Sequence, residues 1–278
     1  MPSVSEREPR TLAPPERRVA LVRSVERVGA YVLFTAVDPS GPAPRPGQFY
    51  MLATAERWGG GADERPYLPR AFSYARARPG SDGLELDFLL EAVGPATERL
   101  AALEPGEGLA LVGPLGVGFR PPAADAHPVL VGGGIGVAPL LCLEEEMPRP
   151  PILLLGFRTA AHAEAAGLFA DAAALATDDG SVGRIALVTD LLRERLSADP
   201  NAAVFACGPP AMLEAVRSLC ADYEVPAQLA LESGMACGFG ACFGCVVPTN
   251  AGYIRLCLEG PVLDAHELTD EWIQGATH

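Results

Sequence analysis

Short apolar runs divided by turn residues fill the first part of the chain, and longer apolar runs alternating with alanine- and leucine-rich stretches fill the second. From Arg17 to about Pro114 the runs are VALVRSV, AYVLFTAV, GQFYMLAT, RAFSYARA, LELDFLLEAV and LALVGP. Strands at this spacing predict a small antiparallel β-barrel, with one short helix over Thr97–Ala102. The segment Trp58–Tyr67, WGGGADERPY, predicts a loop insertion. Beyond Pro121 the pattern changes. Apolar strands PVLVGG, ILLLGF, RIALVT, AVFACG and QLALE alternate with helical stretches around 138–147, 160–175, 190–197 and 209–222. A βαβ series of this kind predicts an α/β domain with a parallel sheet covered on both faces. The last stretch is glycine-rich and irregular, and its DAHELTDEWI predicts a short helix. The expected divisions are a flexible tail over 1–16, the barrel over 17–120, the α/β domain over 121–231 and a small C-terminal segment over 232–278.

Bulk properties narrow the function classes. A chain of 278 residues, 49% of them hydrophobic, can bury two cores and an appendage. A formal net charge of −14 argues against non-specific nucleic-acid binding. The N-terminus MPSVSEREPRTLAPPERR lacks the apolar core of a secretory signal. The apolar runs are too short or too glycine-broken to span a bilayer. Seven cysteines, four of them clustered, do not form a disulfide framework. These features predict a cytoplasmic protein that does not act on membranes.

The four clustered cysteines carry the strongest chemical signal. Cys237, Cys242 and Cys245 stand at C-x4-C-x2-C spacing within MACGFGACFGC, and Cys257 follows. This is the plant-type spacing for a [2Fe–2S] cluster. Glycines Gly238, Gly240 and Gly244 permit the sharp turns that bring thiolates together. The rival is structural zinc, which usually pairs two C-x2-C units or includes histidines. His127, His162, His266 and His278 share no ligand spacing.

Upstream motifs suggest where electrons would come from. In Arg70-Ala71-Phe72-Ser73, the guanidinium would pair with a flavin diphosphate, the aromatic would pack on the isoalloxazine, and the hydroxyl would bond near its N5. The same residues also read as an ordinary edge strand. Leu89-Leu90-Glu91, then Gly94-Pro95-Ala96-Thr97, places a glycine turn before a helix, either as a phosphate site or as simple capping. Gly113–Phe119 is a glycine-dense link, suited to a close cofactor approach or to a hinge. Gly132, Gly133, Gly134 and Gly136 follow a strand and open a helix, the context of a dinucleotide site. The spacing differs from G-x-G-x-x-G. The next strand ends Gly156-Phe157-Arg158-Thr159 with no acidic residue, so the usual ribose argument for NAD over NADP cannot be made here. Cys207-Gly208-Pro209 ends another strand, either lining a nicotinamide pocket or as a buried cysteine before a helix-opening proline. Cys142 and Cys220 read as core residues, and Glu144–Glu146 as a solvated helix face.

Taken in order, Arg70–Ser73, GPLGVGF, VGGGIGVAPL and ACGPPAML resemble the ferredoxin–NADP reductase superfamily. The tail LESGMACGFGACFGCVV with RLCLEGPVLDAHEL resembles the electron-transfer subunits of class 1B, NAD-dependent, dihydroorotate dehydrogenases. The resemblance spans roughly residues 17–270. It implies FAD in the barrel, a [2Fe–2S] cluster on Cys237, Cys242, Cys245 and Cys257, and NAD at the α/β domain. It also implies an FMN-containing partner that oxidises dihydroorotate for pyrimidine biosynthesis, in a heterotetramer of two plus two subunits. Electrons would run from FMN through the cluster and FAD to NAD⁺, with no side-chain acid or base as catalyst. Related alternatives are subunits for ferredoxin transhydrogenation or sulfur reduction, and, in another class, a zinc-stabilised binding module. Four positions depart from the pattern: Phe72 replaces a common tyrosine, Ala96 a glycine, Glu91 a basic residue and Ser233 an acidic one.

Overall fold

The computed structural model describes residues 16–56 and 68–273. Nearly all of the expected tail, and the expected insertion Trp58–Tyr67, lie outside the described residues.

The first domain contains β1 (Arg18–Val28), β2 (Tyr31–Asp38), β3 (Phe49–Thr54), β4 (Arg70–Ser73), β5 (Arg76–Gly80), β6 (Gly83–Leu90), α1 (Pro95–Ala101) and β7 (Gly108–Leu115). Its strands form one antiparallel sheet in the order β4-β3-β7-β1-β2-β6-β5. The expected single strand RAFSYARA is in fact two strands at opposite edges of this sheet. Only Tyr74 and Ala75 join them, and both are buried. The three steps from Ser73 to Arg76 reach roughly 11 Å at most, so the two edges must come close together and the sheet curls into a barrel-like shell. Alternation follows the pleat: Arg18, Ala20 and Val22 of β1 are buried, while Val19 and Leu21 between them are exposed.

The second domain continues with β8 (His127–Gly133), a 3-10 turn over Gly134–Val137, α2 (Ala138–Glu146), β9 (Ile152–Phe157), α3 (Ala160–Ala163), β10 (Ala174–Thr177), β11 (Arg184–Ile185), α4 (Val188–Ala198), β12 (Ala202–Cys207), α5 (Pro210–Asp222) and β13 (Ala227–Ala230). The C-terminal segment supplies β14 (Val246–Thr249), β15 (Gly252–Arg255), α6 (Leu256–Glu259) and β16 (Val262–Asp264). The large sheet runs β11-β10-β9-β8-β12-β13-β16. All its pairings are parallel except β13 with β16. Strand order reverses between β8 and β12, and ligands of open α/β sheets lie beyond such a switch point.

Three expectations in this domain change. RIALVT is not a full strand: only Arg184–Ile185 pairs, at the edge, and α4 begins at Val188. Asp190 accepts the Leu187 amide at 3.1 Å and starts the helix there. Leu187 and Ile185 stay exposed. The missing strand is β10, which starts in the last two residues of the stretch expected as a helix over 160–175 and runs past its end. Its alanines favour helix locally, yet pairing with β9 from Ala174↔Leu154 to Thr177↔Phe157 decides the outcome. The acidic run departs from a solvated face at one position only, since Glu145 and Glu146 are exposed as expected. Glu144 is buried and accepts the amides of Ala170 and Asp171 at 3.1 and 3.2 Å.

Strand β3 explains how the parts join. Every residue in it is buried. Tyr50 and Leu52 point into the barrel core with Phe34 and Phe88. Phe49 and Met51 point the other way, into a core shared with Cys245, Val247, Leu256 and Cys257. The cysteine-bearing segment therefore rests on the back of a barrel strand and also lends β16 to the α/β sheet. At its end, DAHELTDEWI forms a 3-10 turn over Ala265–Glu267, and fully buried Trp272 donates its indole N–H to Glu214 at 2.6 Å.

Candidate functional site

The glycine turn after β8 reaches the end of β12. A Cβ on Gly136 would stand 2.5 Å from the Cys207 carbonyl oxygen, and one on Gly133 would stand 2.5 Å from the Met212 sulfur. Gly134 has φ +55, a left-handed conformation. Side chains at these positions would close the crevice. Instead a cleft of about 620 Å³ opens there, lined by Gly133, Gly134, Gly136, Gly208 and Pro209 together with Glu91. Gly132 lies behind it, packed on Val137 and Leu155.

A second groove of about 230 Å³ adjoins the cleft, sharing Ile135 and Glu232 with it. Ala71, Phe72 and Ser73 of β4, Leu89 of β6 and Cys207 of β12 line this groove. Residues read separately in the sequence thus converge between the two domains. Leu90 is buried in the barrel core. Arg70 is exposed at the edge strand and donates to the Leu68 carbonyl at 2.9 Å. Thr97 is occupied locally. Its hydroxyl accepts the amides of Val93 and Gly94 at 2.9 and 3.1 Å and donates to the Gly94 carbonyl at 3.0 Å, with Ala96 buried beneath.

Tyr31 and Glu232 carried no signal in the sequence, and Ser233 stands out there only as a departure from the family pattern. Tyr31 lines the cleft beside Gly134; its buried hydroxyl has no partner among the described residues. Ser233 lines the groove with an equally unpaired hydroxyl. Buried polar atoms without partners are rare, and a ligand at either place would satisfy them. Glu232 reaches water through the cleft but is ringed by protein, and this burial raises its carboxyl above the ordinary range. Burial likewise holds the Cys207 thiol well above its usual value, the Glu232 charge adding to it, so it stays protonated. Cys142 and Cys220 are core residues as expected, each pushed up to about 12 by burial.

The four clustered cysteines come as two pairs. Burial alone would raise the Cys237 thiol, but amides of the loop and the Cys242 thiol outweigh it and bring Cys237 down to about 7. Cys245 pairs with Cys257 across the loop, and its thiol falls to about 6, chiefly through the Cys257 hydrogen bond. Its sulfur also accepts the Cys257 amide at 3.5 Å. Among the described residues no group of three or more His, Cys, Asp or Glu side chains closes on a single metal ion. Two cysteine pairs fit a two-iron cluster better than one tetrahedral ion. Gly238 and Gly240, at φ +78 and +85, let the loop press on Met51 and Leu258.

A curled antiparallel sheet, a parallel α/β domain with a cleft at its switch point and a cysteine-bearing segment packed on both give the chain a fold of the ferredoxin reductase type. Solved structures share this fold. One is an NADH-dependent reduced ferredoxin–NADP oxidoreductase, with TM-score 0.76, 24% identity and 92% of each chain covered. Another is the ferredoxin reductase of carbazole 1,9a-dioxygenase, with TM-score 0.63, 21% identity, and 76% of this chain and 66% of that one covered. Residues 232–269 match the iron–sulfur cluster binding domain of dihydroorotate dehydrogenase B. The chain is 35% identical to the dihydroorotate dehydrogenase B (NAD(+)) electron transfer subunit of Clostridium acetobutylicum, covering 81% of this chain and 86% of that one. It is 38% identical to the Geobacillus sp. subunit of the same name, covering 80% and 86%. The chain belongs to the family of dihydroorotate dehydrogenase B (NAD(+)) electron transfer subunits.

Proposed function

We propose that this chain is the NAD⁺-reducing electron-transfer subunit of a dihydroorotate dehydrogenase, carrying FAD and a [2Fe–2S] cluster. The observation that supports it most is contiguity. The cleft and the groove share Ile135 and Glu232, and Met235, just before Cys237, lines the same groove. The three candidate sites thus adjoin along one path. FAD, when bound, can exchange a hydride with nicotinamide and single electrons with an iron–sulfur centre. Ala71, Phe72, Ser73 and Leu89 would receive the flavin ring, with Arg70 and the Thr97 turn toward its diphosphate. Gly133–Gly136 and Cys207–Pro209 would admit NAD. Cys237, Cys242, Cys245 and Cys257 would hold the cluster. The chain needs no side-chain acid or base for hydride transfer; its residues position the reactants and exclude water. We assign 17–120 to the flavin domain, 121–231 to the NAD domain and 232–278 to the cluster segment.

The partner would be an FMN-containing dihydroorotate-oxidising subunit, in a two-plus-two heterotetramer in the cytoplasm. Exposed Phe239, Phe243 and Tyr253 lie on the cysteine segment and suit a docking face. No helix of the described residues is long and apolar enough to cross a membrane. Co-expression with the FMN subunit tests the reading: the complex should reduce NAD⁺ when given dihydroorotate. NAD⁺ reduction that ignores dihydroorotate would exclude the pyrimidine role and favour ferredoxin transhydrogenation or sulfur reduction. A colourless protein containing zinc would exclude electron transfer altogether.

A further inference from the structure

Arg255 is the only lysine or arginine between Glu232 and His278, a stretch that also carries Glu259, Asp264, Glu267, Asp270 and Glu271. It ends β15, where it pairs across the hairpin with Val246, the residue after Cys245, and it stands two residues before Cys257. Its guanidinium turns back over the cysteine loop. One nitrogen donates to the Gly240 carbonyl at 3.0 Å, in the turn between Cys237 and Cys242. The guanidinium carbon lies 5.0 Å from the centre of the Phe243 ring, between Cys242 and Cys245. One cation therefore touches both spans of chain that separate the first three cysteines, and it sits on the strand that leads to the fourth. Both contact points have left-handed backbone, Gly240 at φ +85 and Phe243 at φ +60. The second is unusual for a bulky side chain, and such residues persist where their surroundings over-determine them. The Phe243 ring is exposed, so the guanidinium, and not the core, holds it. Arg255 is oriented in turn by Glu259, whose carboxylate accepts the Arg255 amide at 2.9 Å and lies 3.7 Å from the guanidinium.

We propose that Arg255 is a positioning residue that raises the reduction potential of the iron–sulfur site by fixing a positive charge on the cysteine loop. This rests on reading the four cysteines as the ligands of that site. Four thiolates and two sulfides outweigh the charge of two ferric ions, so such a cluster is anionic before it is reduced. Reduction adds one electron and makes or breaks no bond, so the negative charge grows. Net charge and hydrogen bonding around a cluster set its potential, and a cation fixed beside it favours the reduced form. The contacts to Gly240 and Phe243 keep the charge in place. Arginine stays protonated at any working pH, so the contribution is constant. In sequence Arg255 reads only as a polar residue before a cysteine; the hairpin register and the turn of its side chain bring it onto the loop.

A redox titration of the full chain loaded with FAD and cluster tests the proposal, followed by low-temperature electron paramagnetic resonance of the reduced cluster. FAD absorbance in the same samples is the internal reference and should not shift. Arg255→Gln should make the cluster about tenfold harder to reduce, a fall of about 59 mV for one electron. Arg255→Lys keeps the charge and should retain most of the unchanged potential. Glu259→Gln keeps an acceptor for the Arg255 amide, removes an opposing charge, and should shift the potential upward. That variant carries the test if Arg255→Gln loses its iron. An unshifted potential in Glu259→Gln would overturn the proposal, and so would one in Arg255→Gln. An equal fall in Arg255→Lys and Arg255→Gln would overturn it too, because Arg255 would then only brace the loop. If the unchanged chain takes up no iron and sulfide, the reading of the cysteines fails and the proposal falls with it.

Discussion

The amide of Ala30, in the turn between β1 and β2, donates to the carbonyl of Ala161 in α3 at 3.0 Å. This bond ties the barrel to the α/β domain beside the cleft. The preceding Gly29 makes it possible. It sits at φ +57, and a Cβ there would stand 1.9 Å from the Ala161 oxygen. Gly29→Ala should cost about 1–2 kcal/mol from the left-handed backbone alone, and the contact must also open. We expect a lower Tm together with slower FAD reduction by NADH in stopped-flow measurements. An unchanged Tm would show that the two domains do not need this contact.

The barrel is pinned internally by Arg18 and Asp38. Both are buried, joined at 2.7 Å, and the Arg18 guanidinium also donates to the Gly113 carbonyl at 2.6 Å. Asp38→Asn leaves a buried guanidinium uncompensated, which should cost about 3–5 kcal/mol. Urea denaturation followed by far-UV circular dichroism reads this directly. A loss under about 1 kcal/mol would mean that water reaches and solvates Arg18.

Gly240 bends the cysteine loop at φ +85, with Leu258 only 2.4 Å from where a Cβ would be. Gly240→Val should lower the iron and sulfide content per chain while FAD remains bound. Iron analysis beside flavin absorbance separates the two. Loss of both together would indicate that the loop also shapes the flavin groove. Cys242→Ala should bleach the cluster's visible absorbance and still permit FAD reduction by NADH.

Burial raises the Glu232 carboxyl in the folded protein. Folding therefore favours the protonated form, and the unfavourable contribution of the charged form grows as pH rises from the unfolded value of about 4.3 through the raised folded one. Glu232→Gln, neutral at every pH, should melt at a higher temperature than the unchanged protein above that window and at the same temperature below it. Melting curves of the two proteins from acidic to neutral pH test the sign, and a constant difference would discard it.

Much of the architecture is legible in local pattern. The period-two alternation of β1, the unbroken apolar runs of β8 and β12 and the helix at Pro95–Ala101 follow from local residue order. The pairing of Cys237 with Cys242 across one short glycine loop does too. Expectation and structure part where partners are distant. Ala174–Thr177 has the composition of a helix and becomes a strand because β9 offers it a hydrogen-bonding edge. RAFSYARA reads as one strand and becomes two because the sheet closes on itself at Tyr74 and Ala75.

By itself, then, the sequence determined the order of the parts and the chemistry available to each, since turns, periodicity and cysteine spacing act over a few residues. The tertiary structure alone decided that Ser73 and Cys207 face one groove, that Tyr31 overlooks Gly134, and that Arg255 bridges Gly240 and Phe243. Those meetings depend on strand register and on how two domains close, and backbone pairing between distant segments leaves no local mark in the chain.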